Sequence, residues 1–236
     1  DATTALDYKA CLITNVGLDH TEYLGDTFEQ IAYEKSGVFK PNVPALTTED
    51  KPECQKVMEL VADYMKTPLC FIDCQETDVL RWNGMTFHLN PPLYQAKNLS
   101  LALETLNVLG IWLEENEIQQ VIDHFKWAGR YMVLRKDPLV LLDGAHNVHG
   151  ITALTQSLKD FTGKIYFSVL KEKDAPHMIE LLQSISKDIT LVEISSARLY
   201  PLEKLGYPII TVDELISRLL DTKEDSLLCG SLYYVG

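Results

Sequence analysis

Apolar residues recur along this chain in two rhythms. From residue 139 onward, short apolar runs at 139–142, 164–169, 189–194, 209–212 and 227–228 are separated by stretches of helical period at about 149–159, 175–186 and 213–220. Buried strands alternating with helices predict βαβ units and a mostly parallel sheet with helices on both faces. The earlier part is less regular. Residues 8–16 are rich in β-formers and predict a buried strand, apolar enough to be central in a sheet, that runs into a turn at Gly17–His20. Thr27 and Gln30 form a capping-box pattern ahead of a helix that reaches about Ser36 and stops at Gly37, with Pro41 beyond. Pro52 opens a second helix with Val57, Leu60, Val61 and Tyr64 on one face. A short strand at 69–72 and a hairpin turn at Trp82–Met85 follow. Helices at 98–109 and 115–125 complete this half, ended by Gly110 and Gly129.

Composition narrows the class. The chain has 236 residues, 46% hydrophobic and 23% charged, which fits a globular α/β protein and excludes disorder, collagen and coiled coil. No window approaches the roughly 20 apolar residues of a membrane span. The first residues lack the basic flank and apolar core of a signal peptide. The net charge of −13 disfavours nucleic acid and anionic lipid as partners. Residues 1–128 hold 9 Lys/Arg against 20 Asp/Glu, and residues 129–236 hold 12 against 14, so a domain boundary is expected near residue 128. The cysteines Cys11, Cys54, Cys70, Cys74 and Cys229 are scattered through apolar stretches and are expected as buried free thiols in a reducing cytosol, so a cytoplasmic location is expected. Trp82, Trp112 and Trp127 are expected in the core or at a domain interface.

Four places could carry chemistry. Phe28, Ile31, Ala32 and Lys35 share one helical face, so Lys35 lies on an apolar stripe. Its ammonium either snorkels to water or, if desolvated, reacts with carbon dioxide to give a carbamate, an oxygen ligand for Mg2+. Asp19-His20 follows a strand directly, where α/β folds place ligands. Leu139–Asn147 repeats that grammar: an apolar strand ends in Asp143-Gly144-Ala145-His146-Asn147 before a helix. Asp143 there suits a ribose contact or an N-cap, and Asn147 could also cap. Arg130, beside Gly129 at the expected boundary, could reach a phosphate in a cleft or form an interdomain salt bridge.

Taken in order, these stretches resemble a known family. Ile13-Thr-Asn-Val-Gly-Leu-Asp-His-Thr21, Leu24-Gly-Asp-Thr27, Ile31-Ala-Tyr-Glu-Lys-Ser-Gly-Val-Phe-Lys-Pro41, Gly129-Arg130, Leu142-Asp-Gly-Ala-His-Asn147, Leu170-Lys-Glu-Lys-Asp174 and Gly230-Ser-Leu-Tyr-Tyr-Val-Gly236 are similar to motifs of the folylpolyglutamate synthase/dihydrofolate synthase family, within the Mur ligase superfamily. The resemblance implies an ATP-dependent ligase that adds glutamate to folates or dihydropteroate through an acyl phosphate. It implies ATP and Mg2+, with K+ as an optional further cation, small-molecule substrates only, and a monomer. His20 would be a Mg2+ ligand and Lys35 a carbamylated one. Asn98, in the element Gln95-x-x-Asn98, would contact the nucleotide, as would Arg130, Asp143 and His146. Asp1 and Ala2 would touch the pterin. Tyr94 stands where the family usually has His. The resemblance implies residues 1–128 as the C-terminal part of a P-loop-type central ATPase domain and 129–236 as a Rossmann-like ligase domain. The sequence contains neither G-x-x-x-x-G-K-[ST] nor G-x-G-x-x-G, so this chain by itself is expected to be inactive. Another Mur-type amide ligase, or an inactive fragment serving as a binding module, remain alternatives at this point.

Overall fold

The computed structural model describes residues 2–18, 21–74, 77–90 and 92–231, with the side chains of Ala2, Thr3, Thr21 and Glu22 outside the description. The chain divides into two units, Asp1–His124 and Phe125–Gly236.

In the first unit, β1 (Cys11–Ile13), β2 (Ala45–Thr47) and β3 (Leu69–Phe71) form a parallel three-stranded sheet in the order β1-β2-β3. Between them run α1 (Thr21–Leu24), α2 (Phe28–Ser36) and α3 (Pro52–Met65). β1 is shorter than the apolar run around it and lies at the sheet edge, with Leu12 exposed. The Thr27–Gln30 capping box forms in both directions at the start of α2. On α3 the buried stripe is Cys54, Met58 and Ala62, whereas Leu60 and Tyr64 are 63% and 84% exposed. The expected face was therefore rotated. Cys54, Met58 and Ala62 repeat every fourth residue, and their small or flexible side chains let α3 approach α2 closely.

The rest of this unit is a hairpin with two helices. β4 (Val79–Trp82) and β5 (Met85–His88) are joined by Asn83-Gly84, both at positive φ, the twist a two-residue hairpin needs. α4 (Gln95–Val108) and α5 (Glu115–His124) pack Ala96, Leu103 and Ile118 against Leu80 and Phe87.

The second unit is a single six-stranded sheet. It contains β6 (Met132–Lys136), β7 (Leu139–Asp143), β8 (Lys164–Phe167), β9 (Ile189–Glu193), β10 (Ile209–Thr211) and β11 (Ser226–Cys229), in the order β10-β9-β8-β11-β7-β6. All pairings are parallel except β6 with β7. The helices α6 (Val148–Ser157), α7 (Ala175–Gln183) and α8 (Val212–Asp221) connect them. Strand periodicity sorts the core. Leu141, Ile165, Phe167, Leu191 and Leu227 face α6 and α7. Val140, Leu142, Tyr166, Val192 and Leu228 lie on the other face with Leu215 of α8. The expected parallel sheet with helices on both faces is present. β6 escaped sequence reading because Met132, Val133 and Leu134 on this edge strand are all exposed and show no alternation.

β11 returns last in sequence and inserts between β7 and β8. It leaves the sheet at Gly230, whose φ is +119° and whose added Cβ would lie 1.9 Å from the Ser168 carbonyl oxygen. That contact is to backbone, so it cannot be relieved by a rotamer change. Gly230→Ala is expected to cost about 3 kcal/mol from strain and overpacking together. At a urea slope of about 2 kcal/mol/M, that is a midpoint drop of roughly 1.5 M. A wild-type midpoint would mean that β8 and β11 separate at little cost.

Candidate functional site

The carboxyl end of β7 carries the most constrained group of candidates. Asp143 is 2% exposed, and both of its oxygens are engaged. Oδ2 accepts the Tyr131 amide at 2.7 Å, and Oδ1 accepts the Ala145 amide at 2.8 Å. The Gly144 amide donates to the Gly129 carbonyl at 2.7 Å. Gly129 and Tyr131, at φ 72° and 44°, curl the chain around Arg130. The Gly129–Tyr131 turn is thus fastened to the Asp143–Ala145 loop by two amide hydrogen bonds, which brings Arg130 beside the end of β7. Arg130 is half-buried and makes no ion pair with any described residue. Of the readings of Asp143, the N-cap falls here. Asn147 is the cap of α6, accepting from the Gly150 amide at 2.8 Å, so Asp143 holds the loop instead.

His146 Nδ1 lies 2.8 Å from the Gly144 carbonyl. A carbonyl only accepts, so Nδ1 bears a proton. Burial, and then the Asp143 charge, push the Tyr131 phenol above its usual range. The same two causes push the Cys229 thiol well up, so Cys229 stays neutral beside Asp143. At the end of the neighbouring β8, Ser168 Oγ is buried without a hydrogen-bond partner among the described residues.

The first unit holds the other candidates. Asp1 and His20 lie outside the described residues, and Ala2 opens a short 3-10 turn at Ala2–Ala5. Lys35 sits in the last turn of α2. The buried stripe there is Ile31, Ala32 and Ser36, and half-buried Lys35 stands at its margin rather than inside it. Lys35 Nζ makes no hydrogen bond or ion pair with any described residue. Asn98 is exposed near the start of α4 and donates from Nδ2 to Gln95 Oε1 at 3.1 Å.

Sequence reading missed the segment that follows β2. Glu49 is 2% exposed, and its carboxylate accepts the Val16 amide and, at 2.9 Å, the Lys51 amide. Lys51 Nζ lies 3.1 Å from Glu49 Oε1 and donates to the Val16 carbonyl at 2.9 Å. Asp50 pairs with Lys97, the neighbour of Asn98, at 2.8 Å. No motif signals this arrangement, because Val16 and Glu49 are far apart in sequence.

Other expectations need correction. Cys11, Cys54 and Cys229 are buried, but Cys70 is exposed and Cys74 is half-buried, accepting a hydrogen bond from Ser100 Oγ at 2.9 Å. Trp112 and Trp127 are 72% and 64% exposed rather than core residues. A hollow of about 460 Å3 beside the β4–β5 hairpin is lined by Cys74, Trp82, Ser100 and Glu104, among others, and contains none of the candidates. Among the described residues no group of three His, Cys, Asp or Glu could hold a metal ion, and no helix is long and apolar enough to cross a membrane.

No family model matches the chain. Among curated proteins, a dihydrofolate synthase/folylpolyglutamate synthase of Bacillus subtilis is 27% identical over 271 residues, spanning 100% of this chain and 63% of that protein. One from Buchnera aphidicola is 31% identical over 198 residues, 78% of this chain and 46% of that protein. Among solved structures, Escherichia coli FolC in complex with ADP superposes with a TM-score of 0.84 at 28% identity, over 100% of this chain and 62% of that one. A Yersinia pestis enzyme of the same description has a TM-score of 0.84 at 25% identity and 61% coverage of that chain. The chain therefore spans less than two thirds of the length of these relatives.

Proposed function

We propose, from the premise that this chain belongs to the folylpolyglutamate synthase/dihydrofolate synthase family, that it is part of an ATP-dependent ligase joining L-glutamate to the carboxylate of a folate or of dihydropteroate. The first unit then corresponds to the C-terminal part of a central ATPase domain. The second corresponds to the Rossmann-like ligase domain. The protein works as a cytoplasmic monomer on small molecules.

In this reading the γ-phosphoryl group of ATP passes to the substrate carboxylate and ADP departs. The glutamate amine attacks the acyl carbon, phosphate leaves with the C–O bonding pair, and the amine gives up a proton. Each residue has a distinct part. Lys35, as a carbamate, and His20 hold Mg2+. The donor set fits a hard cation once Lys35 supplies oxygens, and its Nζ has no partner to give up among the described residues. Bound there, Mg2+ would offset phosphate charge. Arg130 contacts a phosphate through its fork of N–H donors. Asp143, at the carboxyl end of β7 where such sheets bind ligands, contacts a ribose hydroxyl. His146 lies beside it, and the exposed Asn98 carboxamide reaches the nucleotide. Asp1 and Ala2 contact the pterin.

The observation that carries this reading is the fastening of the Arg130 turn onto the Asp143 loop. It gathers three candidates at the carboxyl end of a parallel strand, where such sheets bind ligands. The test compares this chain alone with the same chain joined to the part of the Escherichia coli relative that it does not span. Glutamate-dependent ADP release is measured with tetrahydrofolate and with dihydropteroate. Release is expected only from the joined form. Release with a different carboxylate substrate, and none with either folate compound, would replace this reading with another Mur-type ligase.

A further inference from the structure

The segment Thr48–Lys51 has no part in the proposed chemistry, yet it touches the chain beyond β1, the helix that bears Lys35 and the helix that bears Asn98. β1 and β2 end level, with Ile13 opposite Thr47. Beyond them Thr48 Oγ1 donates to the Thr14 carbonyl at 2.5 Å. Glu49 accepts the Val16 amide while Lys51 donates to the Val16 carbonyl, and the two side chains pair with each other. Both backbone polar groups of one residue are held by one ion pair, buried at Glu49 and partly exposed at Lys51. Val16 lies four residues before His20. Lys51 Nζ also stands 5.3 Å over the ring of Phe28, the first residue of the helix that bears Lys35. Asp50 binds Lys97 on α4, next to Asn98. The Gln55 side chain anchors the whole segment by donating to the Glu49 carbonyl at 2.8 Å.

We propose that Thr48–Lys51 is a positioning element for this site: the Glu49–Lys51 pair fixes the main chain that leads to His20, Lys51 seats the head of the Lys35 helix, and Asp50 seats Lys97 beside Asn98. The inference rests on the roles proposed for His20, Lys35 and Asn98. None of the four residues touches substrate in this account. A carboxylate accounts for the amide contacts better than a neutral group, because both of its oxygens accept and Glu49 faces two N–H donors and an ammonium. The side chain of Glu49 is wholly buried, and such a group persists only where it is fully partnered. Its partners belong to the end of β1 and to its own turn, so the carboxylate reports directly on the placement of that strand end.

The test has two arms. In the first, amide hydrogen exchange is followed in this chain for the wild type, Glu49→Gln, Lys51→Met and Lys51→Arg. Glu49→Gln and Lys51→Met are expected to speed exchange at residues 15–18 at least tenfold, with the second unit unaffected. Lys51→Arg keeps a cation at the same place and is expected to retain most of the protection. Lys51 is partly exposed, so its variants remain informative if Glu49→Gln fails to fold. In the second arm, the joined form is assayed for ligation as Mg2+ is varied. The Mg2+ concentration for half-maximal rate is expected to rise at least tenfold in Lys51→Met and to be restored in Lys51→Arg, with the KM for glutamate unchanged. Unaltered exchange at residues 15–18 would overturn the clamp. Faster exchange with an unshifted Mg2+ dependence would overturn the positioning role and leave a purely structural pair. Absence of ligation by the wild type would overturn the functional reading instead, while the exchange arm still judges the clamp.

Discussion

Lys35→Arg is expected to abolish ligation in the joined form, by roughly a thousandfold or more, as for loss of a direct metal ligand. Its stability should stay within about 0.5 kcal/mol of wild type. The argument for the second half is structural. Lys35 is half-buried at the edge of the α2 stripe, and its Nζ partners no described residue. Replacing it therefore strands no buried donor or acceptor. The argument for the first half is chemical. A lysine amine can attack carbon dioxide, forming an N–C bond and releasing a proton, whereas a guanidinium stays charged and does not. Lys35→Ala should fail equally, which separates the missing ligand from any bulk effect of arginine. A direct check uses 13C-bicarbonate near or above neutral pH. A carbamate carbon resonance is expected in the wild type and is expected to vanish in both variants. Near-normal ligation by Lys35→Arg would make Lys35 a snorkelling cation and remove it from the metal site.

The sequence carried local signals well. The capping box at Thr27–Gln30, the Asn83-Gly84 hairpin and the strand–helix alternation after residue 139 are each specified by neighbours in the chain, and each is present. Features decided by tertiary contacts were not legible. Leu60 is as apolar as Val57 and Val61, and Tyr64 carries a large apolar ring, yet α3 turns its Cys54–Met58–Ala62 stripe inward because that side meets α2. β6 is an edge strand whose exposed Met132–Leu134 run has no period of two. The same division runs through the site. Asp143, Arg130 and His146 announce themselves by position in a motif. Glu49 does not, because its meaning lies in a hydrogen bond to Val16, thirty-three residues earlier in the chain. The helical phase of Lys35 placed it on the right helix face but not at the right depth. A nine-residue helix with few apolar residues leaves the edge of its stripe undefined.

Arg130→Ala and Asp143→Asn should fail in different ways, and the contrast tests the proposed phosphate contact. Arg130 has no ion pair among the described residues, and its backbone, not its side chain, makes the turn. Arg130→Ala is therefore expected to leave stability within about 0.5 kcal/mol of wild type. If the guanidinium meets a phosphate, turnover in the joined form should nonetheless fall by about a hundredfold or more, since a charge-assisted contact to the reacting nucleotide is lost. Asp143→Asn keeps the shape but turns one acceptor into a donor. One of the two amides now held, Tyr131 or Ala145, would face an N–H2 group in a buried place. The expected cost is about 2 kcal/mol, the range for a hydrogen bond to a charged group lost within the fold. The Gly129–Tyr131 turn should loosen from the β7 loop, so ligation and stability should decline together. Urea unfolding of the 236-residue chain and initial rates of the joined form separate the two patterns. If Arg130→Ala lost stability and activity in equal measure, the guanidinium would be a structural group. The phosphate contact would then have to come from elsewhere at the carboxyl end of the sheet.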